Sequence, residues 1–373
     1  MKKIIAALLV LTALFSLSAC KNKYYAVEST EEESRTVMTM SVDGKTYDVP
    51  YELYRAFFLT YKSLVDGGNA DVWSGEGKDE YVNRINGMII ERIADIYATF
   101  AICQRIGFDP YSKSVEKQIK EEIKQIVEEK TDEAELDGKD YGYEDYLAEL
   151  KSNHLNYSVQ TLMIRYSIAI GAVNDYYIGT ASPDDVNYGM KLGALEFTED
   201  DVKAFYFGDG CARVLISSFQ KIITDTPEQK AESIRNALTE AAASEYTPEE
   251  KEAAVFNAII RSGFFSNGAE IENGYVLGKY NLDKRYYGDM TNAVFGIDEG
   301  EVTAPISIVT AEENSYYVIY RSYKSQEHFE ANYNEVLYVY LTNRVGEITH
   351  TVVEELTKSA TFTEALDHSK IGM

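Results

Sequence analysis

Histidine, cysteine and paired carboxylates are the groups through which a chain most readily does chemistry, and in these 373 residues they are few and scattered. The histidines are His154, His328, His350 and His368, and the cysteines are Cys20, Cys103 and Cys211. No Cys-x-x-Cys and no cysteine–histidine cluster occurs, so nothing reads as a zinc site and no metal is expected. No histidine stands with a serine or cysteine in a recognisable nucleophile–base motif. Gly208-Asp209-Gly210 matches no phosphate-binding loop, and no cofactor is expected. The acidic pairs Asp184-Asp185 and Asp200-Asp201 fall in a loop and at a helix start, where carboxylates are solvated or cap backbone N–H groups.

Cys20 is the exception, because of what precedes it. Met1-Lys2-Lys3 is followed by an apolar run from Ile4 to Phe15 and then Ser16-Leu17-Ser18-Ala19-Cys20. A basic start, a short apolar core and small residues make a secretory signal over 1–19. The run is shorter than the roughly 20 residues of a settled membrane span. Leu17-Ser18-Ala19-Cys20 resembles the bacterial lipobox, in which the cysteine thiol takes a diacylglycerol and the chain is cut just before it. That resemblance implies lipidation of Cys20 and a place on the extracytoplasmic face of a bacterial membrane. Two acyl chains, at about 0.8 kcal/mol per buried CH₂, hold a protein there stably. Residues 20–35, with their Glu run, read as an acidic disordered tether reaching on the order of 20 Å.

Loss of Lys2 and Lys3 with the leader takes the formal charge from −25 to −27. So acidic a chain repels nucleic acid, which is not expected as a partner. Cys103, on the apolar face of a helix, and Cys211 are expected to be buried free thiols.

The elements that must position any site follow from periodicity. Val37 to Val49 alternates around Asp43-Gly44, a hairpin signal. Helices are expected over Tyr51–Val65, Glu80–Ile106, Ser114–Lys130, Tyr143–Lys151 and Ser158–Ile178. In the second of these Val82, Ile85, Ile89, Ile93, Ile96, Phe100 and Cys103 form one buried stripe. Thr198-Glu199-Asp200-Asp201 starts a helix that ends near Phe207. From Ala212 the pattern changes. A β-rich run to Ser218 precedes two helices opening at Thr226-Pro227 and Thr247-Pro248. Short strands follow at Tyr275–Tyr280, Val302–Val309 and Ser315–Tyr323, the last two flanking a turn at Ala311-Glu312-Glu313-Asn314. Helix returns over His328–Lys358. The fold class is α+β.

Five segments of this second region, in order, resemble the parvulin-type domain of PrsA-like foldases and SurA-like chaperones. They are Ala212-Arg213-Val214-Leu215-Ile216, Asn273-Gly274-Tyr275-Val276-Leu277-Gly278-Lys279-Tyr280, Asp289-Met290-Thr291-Asn292-Ala293-Val294-Phe295, Glu299-Gly300-Glu301-Val302-Thr303-Ala304-Pro305-Ile306 and Ser315-Tyr316-Tyr317-Val318-Ile319. The resemblance implies a helical chaperone-like domain made by 36–207 and the returning segment 326–373, with a parvulin-like α+β domain, 212–323, inserted. It implies unfolded or partly folded exported polypeptides as partners, alongside the membrane held through the lipid; a homodimer is compatible with it.

It also locates a catalytic site that this chain has lost. Active parvulins hold two histidines near a Cys or Asp under the substrate proline. Here those positions are Val214, Tyr317 and Gly268, so neither histidine is present. Valine supplies no hydrogen bond, while Tyr317 retains a hydroxyl. The proline-pocket positions fall on Tyr286, Tyr287, Met290 and Phe295, candidates for gripping an apolar side chain; the other reading makes Met290, Val294 and Phe295 the buried face of a short helix. The expected function is a lipid-anchored chaperone or foldase with a weakly active or inactive parvulin-like domain. The alternatives are an isomerase with an atypical site built on Tyr317 and a surface lipoprotein holding one specific partner. The 30 tyrosines and 15 phenylalanines offer material for loose apolar recognition, or reflect only a compositional habit.

Overall fold

The computed structural model describes residues 24–179, 193–243, 245–265, 274–280, 284–309 and 314–371. Cys20, Gly268, the signal segment, Asp184-Asp185 and most of the 311–314 turn lie outside them. The chain is mixed helix and sheet, and divides into two compact units. The first comprises Met1–Ile89, Gly107–Ala169 and Ser359–Met373; the second comprises Ile90–Ile106 and Ile170–Lys358.

The first unit opens with a short helix α1 (Glu31–Ser34), then the hairpin β1 (Thr36–Val42) and β2 (Lys45–Pro50). Asp43 and Gly44, with φ of 53° and 71°, form its two-residue turn, the positive pair that a type I′ turn demands. α2 (Tyr51–Asp66) follows, and a 3₁₀ turn (Ala70–Trp73) folds Trp73 onto Phe58, 5.2 Å between ring centroids. α3 (Lys78–Arg105) contributes to both units, and so does α6 (Tyr157–Tyr177). Between them stand α4 (Lys113–Leu136) and α5 (Tyr143–Ser152). α4 buries Val115, Ile119, Ile123 and Val127 against Tyr143, Tyr146 and Leu150 of α5, the i, i+4 stripe expected of an amphipathic helix. Near its C-terminus the chain returns as β7 (Thr361–Phe362), which pairs antiparallel with β1 and completes a three-stranded sheet in the order β2-β1-β7.

Residues 24–35 correct the expectation of a disordered tether. Tyr24 and Tyr25 set their rings edge-on against Tyr143, at 5.4 and 5.3 Å. The Tyr143 hydroxyl donates to the Tyr25 carbonyl at 2.5 Å, and the Tyr25 hydroxyl donates to Glu144 at 2.6 Å. Thr30 and Glu33 close a capping box on α1. Aromatic contact and capping outweigh the Glu run that made the segment read as coil.

The second unit is built on a four-stranded antiparallel sheet, in the order β4-β3-β6-β5. Its elements in chain order are α7 (Glu199–Phe207), β3 (Cys211–Gln220), α8 (Pro227–Ala242), α9 (Pro248–Ser262), β4 (Tyr275–Gly278), α10 (Lys284–Phe295), β5 (Ile306–Val309) and β6 (Asn314–Ser322). The returning helix is broken at Asn332 into α11 (Gln326–Ala331) and α12 (Tyr333–Ser359). α8 and α9 cover one face of the sheet over Leu215, Phe219, Val318 and Tyr320. α10 covers the other. Cys103 and Cys211 are buried and are not joined in a disulfide.

Candidate functional site

The alternation of β3 decides which side chains meet. Ala212, Val214 and Ile216 point to α10, while Leu215 and Phe219 point to α8 and α9. On the α10 face Val214 and Ile319 are fully buried, and Met290 is 3 % exposed. They pack with Ala212, Val294, Ile306 and Ile308 into one aliphatic cluster. Phe295 and Tyr317 lie half-buried at its margin. Met290 and Val294 therefore form the buried face of a short helix, and the space around Val214 is a filled core.

Register separates the two positions that the resemblance pairs. Val214 stands opposite Arg321 on β6, and Tyr317 stands opposite Ser218 on β3. Both lie on the same face, but four residues apart along the strand, which is about 13 Å. Tyr317 is thus no substitute for a polar group beside Val214. The backbone of Tyr286 and Tyr287 lies in α10, ahead of Met290.

The residue opposite Val214 is one that sequence reading passed over. The Arg321 guanidinium lies over the Phe295 ring, 5.8 Å from its centroid, and donates to the Ile297 carbonyl at 2.5 Å. It thereby satisfies a carbonyl beyond the C-terminal end of α10. Only register could have identified it, since a lone arginine in a strand carries no signal.

On the opposite face Arg213 and Glu252 form a partly buried, two-pronged ion pair, with one N–O distance of 2.7 Å and a second contact through Arg213 Nη2. Burial pushes the Glu252 carboxyl above the usual range, and Arg213 opposes that shift. Burial likewise raises the Tyr320 phenol, whose hydroxyl has no hydrogen-bond partner among the described residues. This cluster fixes β3 to α9 and offers no open face.

Comparison with solved structures finds similar chains, among them two foldases. Foldase protein PrsA from Streptococcus pneumoniae str. Canada MDR_19A is 14 % identical, with 86 % of this chain and 92 % of that chain covered and a TM-score of 0.26. PrsA from Bacillus subtilis is also 14 % identical, with 87 % and 93 % covered and a TM-score of 0.23. TM-scores this low do not define a common three-dimensional arrangement. No family model matches the chain, and no curated protein matches it.

Among the described residues no group of three or more His, Cys, Asp or Glu is placed to hold a metal ion. No described helix is long and apolar enough to cross a membrane. Aromatic residues serve the interior more than the composition suggested. Ten described tyrosines are buried, against four (Tyr25, Tyr111, Tyr176 and Tyr246) that are strongly exposed. The most exposed apolar side chains are Leu136 on α4 and the adjacent Ile222 and Ile223 after β3.

Proposed function

We infer that this protein is a lipid-anchored extracytoplasmic chaperone or foldase for exported polypeptides, whose inserted sheet domain binds or spaces and does not isomerise. The observation that carries the second half is the burial of Val214 in an aliphatic cluster. Prolyl isomerisation lowers a rotation barrier of about 18–20 kcal/mol with polar groups set around an accessible proline. On the α10 face the group opposite Val214 is Arg321, whose guanidinium is engaged by the Ile297 carbonyl, and Val214 itself is packed among aliphatic side chains. The first half is supported by the lipobox-like leader at Cys20 and by the five ordered motifs of residues 212–319. The motifs fall on β3, β4, α10, the run into β5, and β6, which belong to one antiparallel sheet and its covering helix.

Two assays on the mature chain test the reading. The first follows cis–trans isomerisation of a proline tetrapeptide; a rate near that of an active parvulin would overturn the inactive assignment and favour a site built on Tyr317. The second follows aggregation of a chemically unfolded client. Suppression at stoichiometric protein is expected, and its absence would leave the surface lipoprotein with one specific partner. Labelling of Cys20 with a radioactive fatty acid in a bacterial host tests the anchor.

A further inference from the structure

The segment ahead of β1 covers part of α5 without becoming part of the interior. None of residues 24–35 is buried, whereas Tyr143 and Tyr146 of α5 are 5 % and 3 % exposed. Residues 25–30 join no helix or strand. The downstream end is fixed several times over. Ser29 donates to Glu52, Thr30 and Glu33 close their capping box, and Arg35 pairs with Glu364 at 2.9 Å while lying over the Tyr51 ring. Ala26, Val27 and Glu28 are exposed, so the upstream end is held through Tyr24 and Tyr25. A stretch that buries so little opens at low free energy while the body stays folded.

What α5 offers to that stretch has three parts. The Tyr143 ring meets two successive aromatic rings edge-on, at 5.4 and 5.3 Å. Its hydroxyl donates to the carbonyl of the second residue at 2.5 Å, a group that every residue carries. The Glu144 carboxylate accepts from the second ring's hydroxyl at 2.6 Å. Any non-helical peptide with two neighbouring aromatic residues, the second a tyrosine, supplies the same partners.

We propose that this face of α5 is a docking surface for unfolded peptide segments carrying two neighbouring aromatic residues, the second a tyrosine, and that residues 24–30 fill it in cis until such a segment replaces them. The resident Tyr24-Tyr25 pair shows the form of the occupant: paired rings, a main-chain carbonyl and a terminal hydroxyl, outside any helix or strand. The proposal rests on the chaperone reading only for the source of the peptide. A short tether holds a cis segment at an effective concentration on the order of millimolar. The resident segment therefore lowers the apparent affinity for a peptide in trans by the fraction of molecules in which the face is open.

Fluorescence anisotropy of a labelled peptide, Tyr-Tyr-Ala-Val-Glu-Ser-Thr, which copies residues 24–30, tests this on the mature chain. The variant Tyr24→Ser/Tyr25→Ser releases the cis segment and leaves α5 untouched. It is expected to bind the peptide at least about tenfold more tightly than the parent does. The same peptide with serine at both tyrosines should bind neither protein. On the released background Glu144→Ala, and Tyr143→Phe, which keeps the ring, should each weaken the peptide severalfold without lowering the melting temperature to match. Equal peptide affinity for parent and released variant would overturn the proposal, as would binding that ignores both Glu144→Ala and Tyr143→Phe. A released variant that dimerises in place of binding the peptide would assign the face to a second copy and overturn it too. The client aggregation assay on the same proteins keeps the two readings apart. Suppression without peptide binding sinks the α5 surface alone, whereas peptide binding without suppression sinks the chaperone role and leaves the surface standing.

Discussion

The imidazole of His368 lies over the indole of Trp73, 6.3 Å between centroids and 18° from parallel. The Tyr54 hydroxyl meets His368 Nε2 at 2.9 Å, and the Trp73 indole N–H donates to Asp66 at 2.7 Å. The C-terminal tail is thus keyed into the first unit by a buried histidine, beside the β7 pairing and an Arg35–Glu364 ion pair at 2.9 Å.

Burial holds the His368 pKa below its ordinary value, with Asp367 opposing and Lys78 adding to the depression. The unfolded chain then takes up a proton near pH 6.5 that the folded chain refuses, so stability falls as pH drops through that region. Trp73 is the only tryptophan and reports on the site directly. Its emission should change on acidification with a midpoint below 6.5. His368→Gln should flatten that change and reduce the difference in urea midpoint between pH 7 and pH 5. An emission profile that is the same with and without His368 would refute the assignment.

Restoring a histidine at position 214 should not restore isomerase activity. Val214→His places an imidazole among Met290, Val294 and Ile319, opposite an Arg321 guanidinium already bound to the Ile297 carbonyl, and should cost roughly 2–3 kcal/mol. Urea denaturation measures the loss, and the tetrapeptide assay should stay at the background rate.

Removing one member of the Arg213–Glu252 pair should be costly. Glu252→Ala takes the carboxylate from a buried guanidinium that keeps only its bond to the Tyr323 carbonyl, and should cost about 2–3 kcal/mol. Replacing both residues with apolar ones of similar size should recover most of it. A single variant as stable as the parent would show that water reaches the pair.

Burial also raises the thiol pKa of Cys103 to about 11 and of Cys211 to about 12. At pH 8 the thiolate fraction is then on the order of a thousandth or less. Ellman's reagent should titrate neither residue in the folded protein and both in 6 M guanidinium, a concentration of about the strength that unfolds stable domains.

Local elements were legible in the sequence because their signals are local. Asp43-Gly44 gave the hairpin, Thr198 caps its helix as its motif states, a helix opens at Pro248, and the stripe through Ile85, Ile89 and Ile93 is buried. Boundaries were less so. α4 runs on to Leu136, six residues past the expected end, because Glu133, Ala134 and Glu135 favour helix though no residue past Lys130 is buried to mark the extension. Non-local pairing left no trace. β7 is two residues long and meets a strand more than 300 positions earlier, and the docking of Tyr24 on Tyr143 depends on a tertiary surface. The candidate site followed the same rule. Motifs placed Val214 and Met290 in one domain, but only strand register showed that Val214 faces Arg321 and that Tyr317 lies elsewhere.

The docking of Tyr24 and Tyr25 sets how the protein would ride on a bilayer. Were residues 20–35 free, the body could tumble and sweep a wide arc. With Tyr24 held on α5, a lipid on Cys20 is joined to a fixed point by four residues, at most about 14 Å of extended chain. Were Cys20 lipidated, such an attachment would keep this end of the folded body within that distance of the bilayer surface.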